Sequence, residues 1–337
     1  MLEMKSVLTV RASSIGDCLM GKYLLENIHV AYPDAKCSLL VAGRVDMIRN
    51  LLLAYPWINV IEANRKHPMT IVSAIKDIFP SDLTVTQYSG RGKFATASKI
   101  FARLVTKPGR LVGFTDTSPM NRFLYDRLIP FDRNKALRLE EQAALSSLGI
   151  KSSVERLSLM PRGMLPITEK LFLREKGYII LHLFTGSVNR GMSLDRQIQL
   201  ARALFDTFAA NSKLILTAGP GEETFLSKII KEVPGAIPVS GLTLQELIVL
   251  VSKSIGVVSI DTGVGHIAAE TDTPLVLFRP CAGYTWWHKD QYPGNKLIVL
   301  SRDDVCTTCS IDKNFPRCLN AITVEEIVAA AESLFNK

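Results

Sequence analysis

The chain is 337 residues long with 47% hydrophobic and 21% charged residues, enough for two domains with cores of their own and unlike disordered, collagen-like or small disulfide-framed proteins. Forty Lys and Arg against 32 Asp and Glu give +8, and residues 1–150 alone, with 20 basic and 13 acidic residues, hold +7 of it. That split points to an anionic partner for the first half: a phosphorylated substrate, a lipid headgroup or a nucleic acid.

The first residues, Met1 to Lys5, lead into an apolar strand with no basic leader segment before it. No apolar run reaches the length of about 18 residues that a membrane span needs; the best candidate, Leu247 to Ile260, is broken by Ser252, Lys253 and Ser254. The expectation is a cytoplasmic protein that touches a membrane only from outside. Six Cys in such a compartment are not expected to form a disulfide frame.

Short β-branched runs alternate with helical patterns along the whole chain, as parallel α/β units require. The predicted strands of the first half are Ser6 to Val10, Cys37 to Ala42, Ile58 to Ile61, Leu83 to Gln87 and Arg110 to Phe114, with amphipathic stretches such as Cys18 to Val30 and Phe94 to Leu104 between them. In the second half they are Tyr178 to Phe184, Lys213 to Ala218, Ala236 to Val239, Gly256 to Ile260, Leu275 to Phe278 and Leu297 to Leu300, separated by helices over 193–209, 222–232, 243–252 and 263–270. The expected organisation is an α/β chain of two doubly wound domains, 1–155 and 177–337, joined by a linker over 156–176 where Pro161, Gly163 and Pro166 interrupt both periods. The last helix is a candidate to pack back on the first domain.

Ligands of open α/β sheets bind beyond the carboxyl ends of the strands, so the loops there hold the candidate site. Neither first strand is followed by G-x-G-x-x-G or a P-loop, which removes most support for a dinucleotide dehydrogenase or a P-loop NTPase. The first strand runs into Arg11-Ala12-Ser13-Ser14-Ile15-Gly16-Asp17. Asp17 there is either a general base or the cap of the helix it precedes. After Phe184 come Thr185-Gly186-Ser187-Val188-Asn189-Arg190, a glycine-bearing loop feeding a helix, with backbone N–H groups and a fixed charge for a phosphate, or else a solvated loop arginine. Glu222 and Glu223 follow Gly219-Pro220-Gly221, where a carboxylate can accept from ribose hydroxyls or simply favour a first helical turn. The most informative segment is Asp261-Thr262-Gly263-Val264-Gly265-His266, a strand end turning at once into an Ala-rich helix; a buried core histidine is the plain reading of His266 taken alone.

Ser13-Ser14-Ile15-Gly16-Asp17, the Gly219 to Glu222 strand end and Asp261 to Ala269 as Asp-Thr-Gly-x-x-His-x-x-Ala resemble, in order and approximate spacing, the lipopolysaccharide heptosyltransferases of glycosyltransferase family 9. The resemblance implies a GT-B fold, two Rossmann-like domains facing across a cleft, the first binding the acceptor and the second a nucleotide sugar. It implies inverting transfer of heptose from ADP-heptose to an anionic core-sugar glycolipid at the inner-membrane surface, with no cofactor required. Asp17 would be the catalytic base. Thr185, Ser187, Arg190, Glu222, Asp261, Thr262, Gly263 and His266 would bind the donor, and Ser13, Ser14, Arg91 and Lys93 the acceptor. Relatives carry Lys-Trp-Pro near Arg190 and Gly-Pro-Thr where this chain has Arg279-Pro280-Cys281; Trp286, Trp287 and His288 follow, as ring-stacking groups or as packed loop aromatics.

Cys306-x-x-Cys309 with Cys318, joined by Cys281, is a candidate zinc or iron site, with unligated thiols the alternative. Basic residues without aromatic platforms or a reading helix leave nucleic acid without support. Two alternatives to lipopolysaccharide transfer stay open: a protein O-heptosyltransferase, which the cysteines suggest, and a sugar-nucleotide epimerase, since isomerases share the GT-B arrangement.

Overall fold

The computed structural model describes residues 4–10, 14–86, 93–115, 118–132, 134–153, 159, 161, 166–186, 190–281, 285–294, 296–306 and 316–336, the side chains of 93–95 and 285 excepted. Two compact units result: Met1–Leu157 with His288–Gln291, and Ser158–Trp287 with Tyr292–Lys337.

The first unit runs β1 (Ser6–Val10), α1 (Ile15–Ala31), β2 (Lys36–Val41), α2 (Val45–Leu51), β3 (Ile58–Glu62), α3 (Pro68–Ile78), β4 (Leu83–Thr86), α4 (Lys93–Val105), β5 (Leu111–Phe114), α5 (Asn121–Leu124), β6 (Arg127–Ile129) and α6 (Leu137–Ser147). Its six strands are all parallel, in the order β3-β2-β1-β4-β5-β6. β6 escapes sequence reading because three residues, Arg127-Leu128-Ile129, stop at Pro130 and pair on one side only, with β5. Leu8, Val10, Leu40, Ile61 and Leu111 of the sheet pack against Ala74 and Ile78 of α3 and Ala102 and Val105 of α4. Right-handed crossovers put α3, α4 and α5 in one layer on that face, because β3→β4, β4→β5 and β5→β6 all step in one direction along the sheet.

The second unit runs α7 (Ile167–Lys170), β7 (Tyr178–His182), α8 (Leu194–Phe208), β8 (Lys213–Thr217), α9 (Glu223–Glu232), β9 (Ile237–Val239), α10 (Leu244–Ser252), β10 (Gly256–Ile260), α11 (Gly263–Glu270), β11 (Leu275–Phe278), a 3₁₀ turn at Thr285–Trp287, β12 (Leu297–Leu300), α12 (Arg317–Asn320) and α13 (Val324–Phe335). The parallel order β12-β11-β10-β7-β8-β9 repeats that of the first unit, strand for strand. Both sheets therefore reverse beside their first strand, between β1 and β4 and between β7 and β10, and a crevice at the carboxyl end follows from that reversal. The strands are near-continuous apolar runs because both faces are covered. The last helix is seated on this second sheet: Ile327, Ala331 and Phe335 join Val258, Val276 and Phe278 in its core. Gly256 is required there, since a Cβ at that position would lie 2.1 Å from the Phe335 ring.

Candidate functional site

Asp17 lies inside α1, at its third residue, and Ser14 is the residue that caps the helix. The Ser14 hydroxyl accepts from the Asp17 N–H at 3.1 Å and donates to the Asp17 carboxylate at 2.6 Å. The expectation that Asp17 precedes the helix is thus corrected: the apolar Ile15 and the small Gly16 already have helical backbone. Asp17 is half-buried, just past the carboxyl end of β1 at the switch point of the first sheet. Ser13 and Arg91 lie outside the described residues, and of Lys93 only its place as the first residue of α4 is described.

In the second unit the loops after β7 and β10 flank the corresponding switch point. Thr185 is half-buried and Arg190 exposed; Ser187 is outside the described residues. Ser193 and Thr262, the caps of α8 and α11, make no side-chain cap bond. α7, α9 and α12 also lack a side-chain cap bond, whereas α10 and α13 are closed by full capping boxes, Thr243 with Glu246 and Thr323 with Glu326. First-turn N–H groups without a side-chain acceptor are anion-binding groups, and the helix dipole adds to their field.

Asp261 is held from outside its own loop. Its Oδ1 accepts from the Trp287 indole N–H at 2.6 Å and lies 4.0 Å from His266 Nε2. His266 is only 3% exposed, stacks on Trp287 at 4.3 Å between ring centres, and places Nδ1 2.9 Å from the Tyr292 hydroxyl. Trp287 is thus the packed aromatic rather than an open stacking platform, while Trp286 stays half-buried. Gly265 makes room for this stack, since a Cβ there would meet Leu277 at 2.8 Å and the Trp287 ring at 3.4 Å. Trp287 and Tyr292 as partners of the Asp-Thr-Gly segment were not legible in the sequence; the signal available was an aromatic-rich loop 25 residues downstream.

Glu222 stands just before α9, and its Oε2 accepts from the Gly219 N–H at 2.7 Å. Burial raises its pKa above the ordinary carboxylate value, partly offset by that bond. Beneath the loop after β7, His182 is buried, with Nδ1 3.1 Å from the Thr217 carbonyl and 3.0 Å from the Thr217 hydroxyl. Burial pushes its pKa down to about 4.

Cys281, Cys306 and Cys318 bring their sulfur atoms within 4.8 Å of one another. Cys309 is outside the described residues, so the third described thiol comes from Cys281, at the far end of β11. The buried Arg279 fixes that segment through a two-pronged contact with Asp303 at 2.9 and 2.8 Å and through the Cys281 carbonyl at 3.3 Å. Four thiolates around zinc at about 2.3 Å would sit roughly 3.8 Å apart, so the three need only close by about 1 Å.

In the first unit, the ends of β1, β2 and β3 with α3 and α4 enclose a pocket of about 510 Å³. Val10, Leu40, Ile71 and Phe101 make it apolar, and the exposed Arg44, Arg65 and Lys66 add positive charge.

Residues 200–290 match the model of glycosyltransferase family 9 (heptosyltransferase). The match spans 91 of the 337 residues. The matched residues include Glu222, Asp261, Thr262, Gly263 and His266 and exclude Asp17, Thr185, Arg190, Cys306 and Cys318. No curated protein matches the chain. Among solved structures it is similar to a family 9 glycosyltransferase from Veillonella parvula, with TM-score 0.77, 14% identity and 99% of both chains covered. It is similar too to the ADP-heptose lipopolysaccharide heptosyltransferase II of E. coli, with TM-score 0.68, 15% identity and 99% of both chains. The iron-containing dodecameric heptosyltransferase TibC of enterotoxigenic E. coli follows at TM-score 0.55 and 12% identity, over 99% of this chain and 77% of that one. At these identities the likeness is one of fold, and the fold is GT-B with two Rossmann-like units. The segment 200–290 is similar to the heptosyltransferase family model, and the whole chain is similar in fold to glycosyltransferases.

Proposed function

We propose that this chain is an inverting glycosyltransferase of family 9 that moves a sugar, heptose from ADP-heptose, to an anionic lipopolysaccharide-core or related surface-glycan acceptor. The observation that carries the reading is one of position: the two helices that begin beside the switch point of the second sheet, α8 and α11, present N-termini with no side-chain cap. A nucleoside diphosphate is the ligand that such N-termini suit. Thr185, Ser187 and Arg190 hold the diphosphate with the N–H groups of Gly263 and its neighbours; Glu222 takes the ribose. Asp261 and Thr262 face the sugar, with His266 and Trp287 fixing the carboxylate of Asp261.

In the transfer step an acceptor hydroxyl attacks the anomeric carbon, the bond from that carbon to the diphosphate oxygen breaks with inversion, and Asp17 takes the hydroxyl proton. Arg190 and the helix N-termini stabilise the charge that develops on the departing nucleoside diphosphate. Ser13, Ser14, Arg91 and Lys93, with Arg44, Arg65 and Lys66 at the pocket, hold the anionic acceptor.

Melting curves in a series of nucleotide-diphosphate sugars test the donor. Saturating ADP-heptose at 100 times its Kd is expected to stabilise by about 2.7 kcal/mol, a rise of about 5–10 °C for a unit of this size. Failure of every nucleotide-diphosphate sugar to raise the melting temperature refutes the reading. A new sugar epimer formed without acceptor would move the protein to the epimerases.

A protein acceptor is the second reading, favoured by the three clustered thiols. Cys281, Cys306 and Cys318, with Cys309 as the sequence-expected fourth ligand, would hold zinc or iron, which when bound supplies a structural cross-link. Metal analysis of the purified protein is expected to find about one ion per chain, as a four-thiolate site implies. The Cys318→Ser variant is expected to lose the ion and to melt lower. Metal-free protein with an unaltered melting temperature would leave these residues as plain thiols.

A further inference from the structure

The layer of α3, α4 and α5 buries one apolar stripe against the first sheet and carries a second one outward. Eight of the twelve exposed large hydrophobic side chains among the described residues lie between Met69 and Phe123, in this layer. On α3 they include Met69 and Val72, with Phe79 at its end; on α4 they are Ile100 and Leu104, one turn apart; beside them stands Phe123 of α5. Met69 and Phe123 are 75% exposed, Leu104 64% and Phe79 61%, too open to be the rim of the core. Single exposed apolar residues need no explanation, but a concentration on one layer marks an interaction surface.

The charge of the same layer selects the partner. Segments 65–79, 93–107 and 120–127 hold nine Lys and Arg against two Asp; Lys99 is buried on Asn121 and Lys107 pairs with Asp82, so the outward charge rests on Arg65, Lys66, Lys76, Arg122 and Arg127 against Asp77. One of the two acids, Asp126, is already paired with Arg103 at 2.7 Å, while Lys66, Lys76, Arg122 and Arg127 are exposed. A second copy of the chain would bring two basic faces together. A nucleic acid would leave the apolar stripe uncovered. An anionic bilayer satisfies both features at once, taking aromatic and aliphatic side chains at the acyl boundary and cations at the headgroups.

We infer that the α3–α4–α5 face of the first unit is a membrane-docking surface for anionic lipid. It rests on that surface alone and deepens the proposed function by naming where the enzyme meets the bilayer that presents its acceptor. The pocket between α3 and α4 belongs to the same layer, through Ile71, Ala97 and Phe101, so docking brings the acceptor-binding end of the sheet to the lipid.

Sedimentation of the full chain with vesicles tests this, using phosphatidylcholine with and without phosphatidylglycerol, at low and high salt and with no sugar substrate present. The expected result is binding to the anionic vesicles that weakens with salt and falls about tenfold or more in a Phe79→Ser, Leu104→Ser double variant. Phe225→Ser, which removes an exposed aromatic of the second unit, is expected to bind as the parent does. All three proteins should melt alike, because the replaced side chains are exposed. Absence of vesicle binding overturns the proposal, and so does binding that the double variant leaves unchanged. A parent dimer that the double variant dissociates, without vesicle binding, would make the face a self-interface instead. Because neither donor nor acceptor is in the assay, its failure is separate from failure of the transferase reading.

Discussion

Replacing Asp17 by alanine is expected to lower the transfer rate by about 10²–10⁴-fold, the usual contribution of a positioned general base, while the protein still folds. The separation of the two effects follows from the local geometry. Ser14, not Asp17, caps α1, and the bond from the Asp17 N–H to the Ser14 hydroxyl involves the backbone of residue 17 and survives the substitution. What disappears is the carboxylate that accepts from the Ser14 hydroxyl, a partly exposed contact in a first helical turn costing about 1 kcal/mol or less. Asp17→Asn sharpens the test, since an amide keeps a hydrogen-bond acceptor at that place but takes no proton. Release of nucleoside diphosphate and formation of glycosylated acceptor are measured alongside melting temperature. Full activity in either variant refutes the base assignment, and if the alanine variant loses its fold the isosteric asparagine variant decides.

The second large effect is on stability against pH, and it comes from His182. The imidazole has an ordinary pKa of 6.5 in the unfolded chain and about 4 in the folded one, because burial disfavours its charged form. Below pH 6.5 the unfolded chain therefore binds a proton that the native state refuses. Stability from this group is complete above pH 6.5 and is lost progressively as the pH falls to about 4, for a total of about 3 kcal/mol at 1.36 kcal/mol per pKa unit. His182→Asn keeps a donor for the Thr217 carbonyl and cannot titrate. Urea denaturation at neutral and acid pH, read from Trp286 and Trp287 in a Trp57→Phe background, isolates the second unit. The parent is expected to lose about 3 kcal/mol more than the Asn variant between those conditions. Equal losses would mean that the histidine is charged in the folded state.

The sequence by itself determined the element types. Alternation of β-branched runs with helical periods placed most strands to within a residue or two, and Gly263 to Glu270 coincide with the expected helix, because the period of a strand or helix is written in neighbouring residues. The Gly-Asp and Asp-Thr-Gly motifs were legible for the same reason: each lies in one short segment at a strand end. β6 was not, since three residues beside a proline carry no period. Tertiary structure alone decided which distant groups meet. Trp287 reaches Asp261 and Tyr292 reaches His266 across 26 residues in each case, and Cys281 and Cys306, which follow the neighbouring strands β11 and β12, meet Cys318 of α12. It also decided that exposed cations of the first half, Lys66, Lys76, Arg122 and Arg127 among them, share one helical layer with an exposed apolar stripe. Local pattern shows that α3 and α4 have apolar residues on both sides; only the packing of Ala74, Ile78, Ala102 and Val105 against the sheet shows which side is left facing outward. Short-range periodicity is set by backbone geometry, whereas long-range contact depends on strand order and on which faces the core consumes.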